Sequence, residues 1–262
     1  MNPAMLLSRY TGKRYIYLTP RGNKSVLLAL KIAKAMDKKK VIIQDQGGWI
    51  TYLQYPQKLK MQLIKLKTDF GIIEPNELSK HLDSESVLLV NSLSGYFAEQ
   101  PVGLLNAMCR QKNALLINDA SGSIGTETAK FGDIIIGSFG EDKPVSLEYG
   151  GFIAFDDKEY SKAGVEDEFD RSRIKKLSFR LQSLPERLRL FEKHHNRIKK
   201  DLEDMEIMHK EKRGINVIIK FNSPNERERI INYCRKNSYQ YTECPRYIRV
   251  NADAISIEVK RL

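Results

Sequence analysis

Cysteine is scarce in this chain: Cys109, Cys234 and Cys244 are the only three, an odd number without metal-type spacing. That pattern excludes a disulfide framework and a cysteine-based zinc site, and a reduced cytoplasmic compartment is the simplest account. No metal is expected. Long apolar runs are missing too. Near the start only Met5-Leu-Leu7 is continuous, too short for the core of a secretory signal, and no run nears membrane-spanning length. We therefore expect a cytoplasmic protein with no membrane partner. There is no internal repeat or low-complexity tract, and tryptophan occurs once, at Trp49. With 41% hydrophobic and 29% charged residues in 262, the chain has material for one large domain plus a small one, and disorder is excluded.

Acidic charge is in deficit, 33 residues against 44 basic ones, and the imbalance is local. Arg171 to Lys200 holds eleven basic residues and two acidic. Two readings stand: a solvated helix face or general basicity, or a surface for a polyanion such as RNA or a phosphate-rich substrate.

Read in order, the chain alternates strands and helices. Tyr15-Ile-Tyr-Leu18 is an apolar patch, and Val26 to Met36 has helical periodicity. Gly22-Asn23-Lys24-Ser25 stands before that helix, where backbone N–H groups, a lysine and a hydroxyl could cradle a phosphate; an ordinary capped helix start is the bland alternative. Lys40 to Asp45 reads as a buried strand, followed by Gly47-Gly48-Trp49, whose indole suits either a cofactor ring or a core anchor. Gln62 to Lys67 predicts a half-exposed strand, Glu74 to Leu82 a helix, Ser86 to Asn91 a buried strand ending in Ser92-Leu-Ser-Gly-Tyr96, and Val102 to Arg110 a helix. Such alternation predicts a parallel sheet wound with helices.

Residues 156–170 predict a loop. From Ile174 a stripe of Leu177, Leu181, Leu184, Leu188, Phe191, Ile198, Leu202 and Met205 predicts amphipathic helix, with His195 in one polar seat and a break near Ser183, where Ser183-Leu-Pro-Glu186 has capping-box form. In the tail, Gly214 to Phe221, Tyr247 to Val250 and Ala254 to Val259 predict strands, and Ser223-Pro-Asn-Glu226 opens a helix. The expected division is 1–170, a large α/β domain; 171–210, connecting helices; and 211–262, a small α+β domain.

One stretch organises the rest. The apolar run Ala114 to Ile117 delivers Asp119 to a small-residue turn; Asp133 to Gly137 delivers Ser138, Phe139 and, five residues after the serine, Lys143; Gly150-Gly151 opens the run Phe152 to Phe155. An acid and a lysine, each just past the carboxyl end of a buried strand, stand where open α/β sheets place ligand sites. The pair suits pyridoxal 5′-phosphate (PLP), with Asp119 keeping the ring nitrogen protonated and Lys143 forming the Schiff base and moving protons. Ser138 could join the phosphate cradle.

These motifs resemble the sugar-aminotransferase (DegT/DnrJ/StrS) branch of the aspartate-aminotransferase superfamily, PLP fold type I. Its pattern, a strand ending in an acid, then Ser-Phe-x-x-x-Lys, then six residues and Gly-Gly, is matched by Asp119, Ser138-Phe139, Lys143 and Gly150-Gly151. Arg21 to Leu30 resembles the family's phosphate loop, Trp49 falls near its ring-stacking aromatic, and residues 178–191 resemble the helix that follows its Asn-Tyr-Arg motif. Departures are Gly122, where the family commonly has Gln or His; Asn23, where it has Thr; and Ser178, where an Asn faces the partner subunit. The chain is also shorter than the family's by about a hundred residues.

The resemblance implies a PLP-dependent aminotransferase working through a Lys143 Schiff base and a pyridoxamine form, with a small-molecule amino donor and an acceptor such as a keto sugar. It implies cofactor binding by Gly22, Asn23, Lys24, Trp49, Asp119, Ser138 and Lys143, catalysis by Lys143 and Asp119, and a homodimer. Arg21 and Arg180 are considered as carboxylate clamps, and neither is assigned. Alternatives are a PLP enzyme acting on aminoacyl-tRNA, motivated by residues 171–200, and a non-catalytic protein that retains the fold.

Overall fold

The computed structural model describes residues 2–262. Its centre is a seven-stranded sheet made of β1 (Tyr15–Thr19), β2 (Lys40–Gln44), β3 (Gln62–Leu66), β4 (Ser86–Asn91), β7 (Leu115–Asp119), β8 (Ile134–Ser138) and β9 (Gly151–Phe155), in the order β1-β9-β8-β7-β4-β2-β3. Strands β3, β2, β4, β7 and β8 run parallel; β9 is antiparallel to β8, and β1 antiparallel to β9. A short hairpin, β5 (Leu93–Ser94) with β6 (Ala98–Glu99), follows β4. The parallel sheet wound with helices expected from the sequence is what forms.

Period-2 side chains explain why both faces are covered. Val87, Leu89, Leu115, Ile117, Ile134, Ile136 and Ile153 pack under α2 (Gly22–Ala35) and Tyr52 of α3 (Ile50–Lys58). On the reverse face Leu88, Val90 and Leu116 meet α4 (Pro75–Ser79) and α5 (Val102–Gln111). Ile135, Phe152 and Ala154 there meet Leu6 and Leu7 of α1 (Pro3–Thr11) with Leu177 and Leu181 of α6 (Ile174–Gln182). Each such fully buried aliphatic side chain stabilises the fold by about 1.5–3 kcal/mol. The half-exposed strand expected at 62–67 is the sheet edge, β3.

The amphipathic stripe breaks at Ser183, as expected, into α6 and α7 (Leu184–Asp201). The capping box does not form: Ser183 is itself helical, and its hydroxyl turns back to Phe179 O and Arg180 O. Leu184 packs in the large-sheet core while Phe191 and Ile198 pack against the tail, so the neighbour of this stripe is the chain itself. His195 is 3% exposed, and burial pushes its imidazole down to about 4, which keeps it neutral in that seat. Residues 156–170 are loop with one 3₁₀ segment, Lys158–Ala163, and anchor through buried Val165 and Phe169.

The tail is a three-stranded antiparallel sheet, β10 (Val217–Lys220), β12 (Ala254–Ile257) and β11 (Tyr241–Cys244), backed by α8 (Pro224–Lys236). Ser223 Oγ accepts from Glu226 N at 3.2 Å, as its sequence predicts for a cap. Two expectations are corrected. The strand expected over 247–250 is a turn, closed by Arg246 N→Val250 O and Arg249 N→Arg246 O, and Tyr247 O accepts from Gly47 N; the third strand is β11. The strand expected from Gly214 begins only at Val217, because Ile215 N and Asn216 N both donate to Tyr96 O. Among the described residues, no helix is long and apolar enough to cross a membrane.

Candidate active site

Strands β7 and β8 end side by side, and their carboxyl ends build one wall of the site. Asp119 closes β7 and is 7% exposed. Its Oδ1 accepts from Ser121 N at 2.9 Å, and its Oδ2 from the Tyr52 hydroxyl at 2.5 Å. Burial, then the Asp119 charge, push the Tyr52 phenol well above its ordinary value, so Tyr52 is a permanent donor that fixes the carboxylate. Ser121 Oγ in turn accepts from Ser138 N at 2.9 Å, tying the two strand ends together.

Lys143 sits in the connection from β8 to β9. Its Nζ donates to the Tyr96 hydroxyl at 2.5 Å and lies 5.2 Å from the Trp49 ring centroid. The side chain keeps some open surface because it looks into the cavity, yet dense protein surrounds its ammonium. Burial pushes the Lys143 amine down to about 8; Asp119 pulls it the other way and Arg249 adds to the lowering. A lysine so placed is partly neutral near physiological pH, the condition a nucleophilic or proton-moving amine requires.

The start of α2 supplies the opposite wall. A Cβ on Gly22 would stand 2.5 Å from Ser138 Cβ and 2.8 Å from its Oγ, so only glycine lets the helix start approach β8. Gly151 is as tightly placed, a Cβ there meeting Gly137 O at 2.5 Å and Gly22 Cα at 2.9 Å. Asn23 Oδ1 accepts from Trp49 Nε1 at 2.8 Å, which fixes the indole within the cavity lining.

Gly22, Asn23, Trp49, Asp119, Ser138 and Lys143 all line one cavity of about 320 Å³, together with Arg21. Lys24 does not. Helical phase carries its side chain away to Glu168 at 2.8 Å, and its N–H is used on Arg21 O, so the lysine expected in the cradle is not part of it. Arg180, on α6, also lies outside the cavity lining.

Sequence reasoning missed Tyr52, Tyr96 and a charged group from the tail. Tyr96 fills the space beside Gly122, where a Cβ would come within 2.9 Å of its ring. Behind the ring, Arg249 and Lys260 lie 5.3 and 5.4 Å from its centroid, and both pair with Glu258, at 2.7 and 3.0 Å. A glycine–tyrosine turn after a buried strand was the one available signal for Tyr96; Arg249, Glu258 and Lys260 had none.

The sequence profile of the DegT/DnrJ/EryC1/StrS aminotransferase family matches residues 5–221, and that of the MJ1341 family C-terminal domain matches residues 186–262. No curated protein matches the chain. Among solved structures it is similar to 3-amino-5-hydroxybenzoic acid synthase, with a TM-score of 0.75 and 13% identity over 98% of this chain and 84% of that one. An aminotransferase from Psychrobacter cryohalolentis gives 0.77 and 12%, covering 97% and 84%. An E. coli GDP-4-keto-6-deoxy-D-mannose-3-dehydratase with bound hydrated PLP gives 0.74 and 12%, covering 97% and 86%. At such identities the likeness is one of fold.

Proposed function

Because the chain belongs to the DegT/DnrJ/EryC1/StrS aminotransferase family, we propose that it moves an amino group from a small-molecule donor to a carbonyl-bearing acceptor, a keto sugar. Its cofactor is PLP. The observation that carries the reading is that Asp119 and Lys143 line one cavity, near enough for the carboxylate to act on the ammonium.

The residues fit the group. Gly22, Asn23 and Ser138 meet in the cavity lining at the N-terminus of a 14-residue helix, whose close approach to β8 needs a residue without a Cβ at position 22 and whose helix end favours an anion. When bound, PLP supplies a sink for the electron pair released at the substrate carbon next to the transferred nitrogen. Gly22, Asn23 and Ser138 would hold its phosphate, and Trp49 would cover the ring. Asp119, fixed by Tyr52 and Ser121, would keep a proton on the ring nitrogen. Lys143 would anchor the group covalently and, once released, carry a proton to and from the substrate α-carbon. In this reading residues 1–170 bind the cofactor, 171–210 connect, and 211–262 form the small domain. The protein works as a cytoplasmic homodimer; Phe179, 65% exposed beside Ser178, supports a partner surface there.

The test is the ultraviolet–visible spectrum of freshly purified protein. We expect a PLP band near the visible edge that borohydride removes, that Lys143→Ala abolishes, and that changes on adding amino acids. A native protein that takes up no PLP would overturn the assignment and leave a non-catalytic fold. A second reading, aminoacyl-tRNA as substrate, draws on Lys175, Lys176, Arg189, Lys193 and Lys200, which stand exposed on α6 and α7; salt-sensitive RNA retention would favour it.

A further inference from the structure

Tyr96 is held more firmly than a space-filling residue needs to be. It is 5% exposed and follows Gly95, both with positive φ, +53° and +69°. For a tyrosine that backbone is strained, and it persists because Ile215 N and Asn216 N both donate to Tyr96 O, at 2.8 and 2.9 Å. The ring lies where a side chain at 122 would lie, with a Gly122 Cβ 2.9 Å from Cδ1 and 3.1 Å from Cε1. The hydroxyl that results is 2.5 Å from Lys143 Nζ.

We propose that Tyr96 is a catalytic residue whose hydroxyl holds the Lys143 amine, accepting from the ammonium and donating to the free amine. The inference rests on the role given to Lys143 above. The balance is simple. When Lys143 passes a proton to substrate, one N–H bond breaks, Tyr96 turns its O–H toward the new lone pair, and no proton leaves the phenol. Burial and the Asp119 charge raise the Tyr96 phenol, outweighing Arg249, so it stays protonated. The charged groups around the Lys143 amine are Asp119 at the end of β7, Asp142 in its own loop, and Arg249, Glu258 and Lys260 from the tail. Asp119, Asp142 and Glu258 favour the ammonium and Arg249 opposes them, and the Tyr96 oxygen is the group that hydrogen-bonds it directly, at 2.5 Å.

The experiment reads Lys143 itself. Full-length protein cleared of PLP is treated with acetic anhydride from neutral to alkaline pH, and acetylation of Lys143 is followed by peptide mass spectrometry. The native midpoint is expected near 8. In Tyr96→Phe a buried ammonium loses its charge-assisted acceptor, a larger loss than the neutral amine suffers, and the midpoint falls by about one pH unit. An unchanged or raised midpoint overturns the proposal. If Tyr96→Phe does not fold, Gly122→Ala decides, since its methyl displaces the same ring: a downward shift supports the role, and an unmoved midpoint rejects it. A native protein that binds PLP while Tyr96→Phe leaves the midpoint unmoved sinks only this inference. A shifted midpoint in a protein that takes up no PLP sinks only the aminotransferase assignment.

Discussion

Replacing Glu258 by glutamine changes one oxygen for an NH₂ and removes one charge from the interior. Glu258 has no exposed side-chain surface; its Oε1 accepts from Arg249 Nε at 2.7 Å and Ser256 Oγ at 2.9 Å, and its Oε2 from Arg249 Nη2 at 2.7 Å and Asn216 Nδ2 at 3.1 Å. Lys260 stands 3.0 Å away. In Glu258→Gln buried Arg249 loses its counter-charge, buried Lys260 is left with only Asp142, 3.8 Å away, and the new amide turns a donor toward donors. Breaking a buried pair this way costs about 3–5 kcal/mol, a large share of the roughly 5–15 kcal/mol that holds a domain. At about 2–4 °C per kcal/mol for a chain of this size, the melting temperature should fall on the order of 10 °C. The loss should depend on pH in a fixed direction. Burial alone would raise the Glu258 carboxyl, but the hydrogen bonds and charge of Arg249, with Lys260, outweigh it and hold the group far below its ordinary range. Its contribution is therefore complete above the unfolded value of about 4.3 and fades as pH falls below it. Urea unfolding of both proteins, at neutral pH and in acid, measures this. A neutral-pH difference under about 1 kcal/mol, or one that does not shrink in acid, would refute the reasoning.

Gly22→Ala should weaken PLP retention at least about tenfold in equilibrium dialysis and cost about 1–3 kcal/mol in stability, since its methyl collides with Ser138. Lys24→Ala should leave PLP retention within about twofold, because that side chain serves Glu168 in a partly exposed pair worth no more than about 1 kcal/mol. The initial rate of PLP incorporation, followed by absorbance, should rise as pH climbs toward 8 and level off above it, as the Lys143 ammonium gives way to the free amine. Lys143→Ala should lower amino transfer by at least about 100-fold with the far-ultraviolet circular dichroism unchanged.

What could be read in the sequence was local. Ile134 to Ile136 and Leu115 to Ile117 are continuous apolar runs bounded by turn residues, so their burial as adjacent strands, and the delivery of Asp119 and Ser138 to one edge, followed from pattern alone. Lys24 was misplaced because a four-residue motif says which groups are near a helix start but not which way each turn of the helix points them. The turn at 247–250 looked like a strand because Tyr, Ile and Val favour one, yet its backbone is claimed by Gly47 and by its own closure, and that lets Arg249 reach Glu258. Tyr52 with Asp119 and Tyr96 with Lys143 join residues far apart in the chain, and no periodicity reports such meetings.

The floor of the cavity is shaped by atoms that are missing. Gly22 and Gly151 bring a helix start against the ends of β8 and β9, nearer than a side chain there would permit, so the smallest enlargement there shifts whole elements. Under the proposed function, exchanging Asp119 or Lys143 silences chemistry inside an intact vessel, whereas one methyl at 22 or 151 deforms the vessel without removing either group. A descendant of this protein could thus lose its reaction while keeping the mould, but it could hardly keep the reaction with the mould pried apart.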